Sequence, residues 1–172
     1  MTPEFTRPHR LDQIGAGESR VEIEANAEER AALAKRFSLP AIGALAARFV
    51  LHRDATGIIA GGHLSAAVTQ ACVVTDEPVP ATVEEDFALR FVPEGSTEGD
   101  DVELTEDECD TVFYQGGAID LGEAAAETLA LALDPFPRSP GAIQALKEAG
   151  VLSEEEAGPF GALAALKDKL KG

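Results

Sequence analysis

Residues 58–74, IIAGGHLSAAVTQACVV, followed after TDEPVPAT by residues 83–91, VEEDFALRF, decide the fold of this chain. Even positions of the first run carry Ile58, Ala60, Leu64, Ala66, Val68, Cys72 and Val74, and odd positions carry His63, Ser65 and Thr69. A period of two is that of a strand with one buried face. Gly61-Gly62 would let so long a strand bend or bulge. Pro78 and Pro80 cannot donate to a ladder, so Thr75 to Pro80 reads as the turn. The return run then buries Val83, Phe87, Leu89 and Phe91 and exposes Glu84, Asp86, Ala88 and Arg90. Glu85 alone breaks its inner face, where a carboxylate needs a partner such as arginine.

On the N-terminal side, Arg20-Val21-Glu22-Ile23-Glu24 alternates as a half-buried strand does. Asn26 and Glu29 form a capping-box pair that opens a helix bearing Ala27, Ala31, Leu33, Ala34 and Phe37, limited by Pro40. Residues 41–47 are alanine-rich and carry no clear period, and a strand follows over Arg48–His52 with Phe49 and Leu51 on one face. On the C-terminal side, Asp120 caps a helix with the stripe Leu121, Ala125, Leu129, Ala132 and Leu133, and Pro135 prevents its continuation. Ser139-Pro140 starts a short helix that Gly150 ends. Ser153 and Glu156 repeat the capping box, and a last amphipathic segment presents Phe160, Leu163, Leu166 and Leu170. The fold class is α+β: a mainly antiparallel, twisted sheet packed with a few helices. Whether the sheet closes into a partial barrel stays open.

Charge is unevenly placed. The chain carries −17 overall, with residues 1–53 at +1 and residues 54–172 at −18. Glu94 to Asp110 holds nine acidic residues and no basic ones. Like charges repel, so residues 94–117 read as a mobile acidic loop, closed by Gly116-Gly117. The expected organisation is one domain over residues 1–140 and a helical tail over 141–172.

These features exclude more chemistry than they suggest. The two cysteines, Cys72 and Cys109, make no disulfide framework and have no zinc-knuckle partners. His9, His52 and His63 show no metal-binding spacing, and the acidic loop lacks the calcium-loop pattern, so neither metal nor cofactor is expected. Phosphate-loop, dinucleotide and nucleophile-elbow motifs are absent. An enzyme would need an unforeseen pocket joining Glu85, His63 and Cys72, so none is expected. No apolar run reaches the length of a membrane span and the first ten residues hold no apolar signal core, which makes a reducing cytoplasm the expected setting.

Several segments together resemble the YceD family: Glu4-Phe5-Thr6-Arg7-Pro8, Gln70 to Val79, Glu85-Asp86-Phe87 with Leu89 to Pro93, Ile119 to Glu123, and Leu131 to Arg138. They follow one another over roughly residues 3–142, in the manner of the alphaproteobacterial branch. The resemblance implies a ribosome-biogenesis factor tied to accumulation of large-subunit ribosomal RNA, without an enzymatic activity, encoded near a small basic ribosomal protein. Many relatives carry Cys-x-x-Cys where this chain has Cys72-Val73-Val74-Thr75, so no metal is carried over.

Charge and resemblance converge on a basic ribosomal or ribosome-assembly protein as partner, held through an acidic surface and linked to rRNA indirectly. The candidate residues are Asp76, Glu77, Glu84 and Asp86, with Glu103 and Asp107 of the loop steering the encounter. The alternative is direct RNA contact through Arg7, Arg10, Arg48 and Arg53, although Glu22, Glu24, Glu28 and Glu29 interleave with the N-terminal cations.

Overall fold

The computed structural model describes residues 2–95, 109–150 and 161–170. Strands β1 (Pro8–Arg10) and β2 (Ser19–Glu24) precede helix α1 (Ala27–Arg36). Three long strands follow, β3 (Ala41–Asp54), β4 (Gly57–Ala71) and β5 (Pro78–Pro93), and then the short β6 (Asp110–Tyr114) and β7 (Ala118–Asp120). Helices α2 (Leu121–Ala132), α3 (Ala142–Glu148) and α4 (Gly161–Leu170) complete the order. The class is α+β, as expected.

Five strands form one sheet in the order β2-β3-β4-β5-β6, and β1 pairs with β7 in a separate ribbon. The sheet stays open, because β2 and β6 end the order and do not pair among the described residues. The β2–β3 and β3–β4 pairs are antiparallel, whereas β5–β6 is parallel. That last pair corrects one expectation. Residues 94–117 are not one continuous loop, because Asp110 to Tyr114 lie alongside Leu89 to Pro93. Residues 96–108 of the expected acidic loop lie outside the described residues.

The period of two in β4 places Ile58, Ala60, Leu64, Ala66 and Val68 in the core. Phe49 and Leu51 of β3 join them, as do Leu89 and Phe91 of β5, with Leu33 of α1 and Leu121, Ala125 and Leu129 of α2. The alanine-rich residues 41–47 prove to be strand, with Ile42, Leu45 and Ala47 buried. In the β3–β4 pair no irregularity falls at Gly61-Gly62. Register shifts between Ile42 and Ala44, while Gly61 and Gly62 pair regularly with Val50 and Phe49. Gly62 answers a different need, since a Cβ there would lie 2.0 Å from the Arg48 carbonyl oxygen and 2.7 Å from the Phe87 ring.

Both predicted helix caps are present. The Asn26 side chain accepts from the Glu29 N–H at 2.9 Å, and Glu29 accepts from the Asn26 N–H at 2.8 Å. Asp120 accepts from the N–H groups of Gly122 and Glu123, and also from the Arg7 N–H and the Thr6 hydroxyl, which ties the N-terminal segment to α2.

The chain divides into two compact units, one of residues 1–70 and 80–135, the other of residues 71–79 and 136–172. In the smaller, the turn after β4 is held by the Cys72 N–H on the Glu77 carbonyl and by the Val73 N–H on the Pro137 carbonyl. Asp76 adopts a left-handed backbone at φ 61°. Residues 153 and 156, read above as a capping box, lie outside the described residues.

Candidate functional site

Outward-facing residues of β2 to β5 form a polar row across the sheet. Glu22 stands opposite Arg48, and Arg48 stands opposite His63. His63 in turn meets β5. Its Nδ1 is 2.6 Å from Asp86 Oδ1, its Nε2 is 2.7 Å from Glu84 Oε2, and the Ser65 hydroxyl donates to the other Glu84 oxygen at 2.8 Å. Two of the four described acidic candidates, Glu84 and Asp86, are thus brought together by one imidazole. Hydrogen bonds to Asp86 and Glu84 favour the form that donates from both nitrogens and raise the His63 pKa from its ordinary value. Glu84 is correspondingly lowered, first by His63 and then by Ser65.

The other two acidic candidates, Asp76 and Glu77, sit in the turn of the smaller unit, both exposed. Glu103 and Asp107 lie outside the described residues. In that same turn Cys72 is buried, but it lies just beyond the end of β4 at Ala71 and not on the strand its parity predicts, and its surroundings are more polar than a small hydrophobe would need. Burial pushes the thiol up, yet hydrogen bonds from the Ser139 backbone, the Thr75 and Ser139 side chains and the Thr75 backbone outweigh it and bring it down to about 6.

The arginines proposed for RNA are largely engaged inside the chain. Arg7 grips both Glu29 carboxylate oxygens at 2.7 and 2.9 Å and donates to the Glu24 carbonyl. Arg10 pairs with Asp12, and Arg53 donates to the Leu11 carbonyl at 2.5 Å. Arg36, a further N-terminal cation, bridges Glu4 and Glu123. Arg48 lies exposed in the polar row. The Arg7 grip, opposed by burial and helped by the Asn26 N–H, holds Glu29 below the usual carboxylate range.

One feature escaped the sequence reading. Glu85 does not enter the core. It is exposed, on the wall of a cleft of about 410 Å³ between β5, β6 and α2. Asp110 and Glu127 share that wall with Val112 and Leu131, and Leu131 is 84% exposed. Glu85, Asp110 and Glu127 make no ion pair among the described residues, and no lysine or arginine lines the cleft. One signal was available: Leu131 falls outside the buried stripe of α2 and one turn from Glu127. Among the described residues, no group of three or more histidine, cysteine, aspartate or glutamate side chains is placed to hold a metal ion, and no helix is long and apolar enough to cross a membrane.

Residues 60–167 match the model of the family described as large ribosomal RNA subunit accumulation protein YceD. No curated protein and no solved structure matches the chain. The family match spans β4 and β5, the cleft and the C-terminal helices, and the chain belongs to the YceD family. The N-terminal stretch Glu4–Pro8 lies outside the matched residues.

Proposed function

We propose that this YceD-family protein supports accumulation of large-subunit ribosomal RNA as a non-enzymatic adaptor, by holding a basic ribosomal or assembly protein on an acidic surface. The observation that carries this reading is an asymmetry in how the chain uses its charges. Its N-terminal cations are mostly consumed by internal partners, whereas Glu85 of β5, Asp110 of β6 and Glu127 of α2 are exposed and make no ion pair among the described residues. A surface with unneutralised anions attracts cations at long range and repels phosphates. The link to rRNA then runs through the partner, which is kept soluble and unbound to phosphate until it is delivered. Glu84 and Asp86 contribute to this surface in the larger unit, and Asp76 and Glu77 offer acidic groups in the smaller.

The test is a pair of titrations with purified protein, one against a lysine- and arginine-rich large-subunit ribosomal protein and one against a large-subunit rRNA fragment. Binding to the basic protein that weakens as salt rises, with no complex on naked RNA, supports the adaptor. A tight complex with RNA alone, lost on Arg48→Glu, would replace it with direct RNA recognition.

A further inference from the structure

The cleft between α2 and the β5–β6 pair brings together carboxylates and an exposed apolar side chain. Three carboxylates, Glu85, Asp110 and Glu127, line it without an ion-pair partner among the described residues. Beside them lie Val112, half-buried, and Leu131, almost fully exposed. A single exposed leucine is ordinary on a soluble surface, but here it stands in a cleft beside carboxylates that lack an ion-pair partner among the described residues. Glu127 and Leu131 are four residues apart on α2, so they lie on the same side of the helix about 6 Å apart along its axis. That puts an apolar contact and a negative charge within the span of one turn of an incoming segment.

We infer that this cleft is the docking groove for an amphipathic, lysine- or arginine-bearing segment of the basic partner. The inference rests on the adaptor reading above and adds the place where the partner binds. An apolar side chain of the segment would cover Leu131 and Val112, and cations beside it would reach Glu85, Asp110 and Glu127. The occupant follows from charge complementarity. Among the described residues no lysine or arginine lines the cleft, and His63, which reaches its fourth carboxylate Asp86, is already engaged by Asp86 and Glu84, so an acidic or phosphate-bearing ligand would be repelled and a purely apolar one would strand the carboxylates. The volume of about 410 Å³ suits a few side chains rather than a whole domain. Apolar cover and charge have separable signatures: cover sets how long the segment stays, and charge sets how fast it arrives and how salt weakens it.

Two synthetic peptides of equal length and charge separate these terms, one an amphipathic leucine–lysine helix and the other a lysine–serine sequence. The native protein is expected to bind the leucine–lysine peptide about 10-fold more tightly than the control, the margin of one well-covered apolar contact. Leu131→Gln should erase that margin while leaving the control peptide unaffected. Glu85→Gln with Glu127→Gln should weaken both peptides and flatten their salt dependence, and Glu28→Gln on the exposed start of α1 should change neither. Leu131 and both glutamates are exposed, so these variants fold, and thermal unfolding verifies it.

Equal binding of the two peptides, or affinity unmoved by all groove substitutions, overturns the groove. A native basic ribosomal protein that binds the groove variants as tightly as the unaltered chain overturns it too, while the adaptor reading survives. Failure of every basic ribosomal protein to bind the unaltered chain removes both.

Discussion

The corner around Arg7 and the cleft around Glu127 are built from the same kinds of residue and put them to opposite uses. At the Arg7 corner every charge is answered: guanidinium by Glu29, Glu29 by the Asn26 N–H as well, and Asp120 by four donors from two segments. At the cleft three carboxylates and a leucine face water with no ion-pair partner among the described residues. Charges that are answered inside the chain hold the fold, and under the adaptor reading those left unanswered beside an exposed apolar group are the ones available to a partner. The difference is visible only in space. In sequence, Glu29 and Glu127 are both acidic residues near alanine-rich helical turns.

Substitutions should separate the two regions. The largest effect is expected at Asp120. Asp120→Ala removes a cap and the junction between the N-terminal segment and α2, and should cost about 2–3 kcal/mol in urea unfolding. Arg7→Ala comes next, at about 1–2 kcal/mol, because Glu29 keeps only its capping hydrogen bond in a partly buried place. A double-mutant cycle with Glu29→Ala should show the two residues coupled.

Acid provides a third way to sharpen the contrast. Glu29 sits below its ordinary pKa in the folded chain, so it binds a proton less readily folded than unfolded. Its contribution is therefore present above the unfolded value of about 4.3 and is lost as pH falls through the lower folded value. Glu29→Gln should remove that part of the acid dependence of urea midpoints, and Glu127→Gln should leave it in place. At neutral pH, Glu85→Gln and Glu127→Gln should each stay within about 0.5 kcal/mol of the unaltered chain. The smallest change is at His63, whose imidazole resonances should titrate above the ordinary value of about 6.5. Asp86→Asn should bring that midpoint back toward it.

The parts of the fold legible in sequence are those governed by short-range periods. Ile58, Ala60, Leu64, Ala66 and Val68 announce a strand because every second residue must face the core. Asn26 and Asp120 announce helix starts because orphan N–H groups need nearby acceptors. What failed depended on distant neighbours. Alanines at 41–47 carry no period, and pairing with β4, and at Ala46 and Ala47 with β2, makes them strand. Asp110–Tyr114 looked like part of an acidic loop because its partner, Leu89–Pro93, is a parallel strand that no local pattern reveals. Glu85 has inward parity, yet at the cleft its face of the sheet opens to solvent. The acidic candidates were legible as a surplus of charge, and the cleft that gathers part of it was not, since it joins three elements separated in sequence.

The central claim is that unanswered carboxylates recruit a cationic protein. The most direct measurement is the dissociation constant for a purified, lysine- and arginine-rich ribosomal protein across a range of salt, for the unaltered chain and for Glu85→Gln, Asp110→Asn and Glu127→Gln combined. Affinity should fall steeply with salt, and the combined variant should bind about 10-fold more weakly at low salt with a shallower dependence. Affinity indifferent both to salt and to the three substitutions would contradict it.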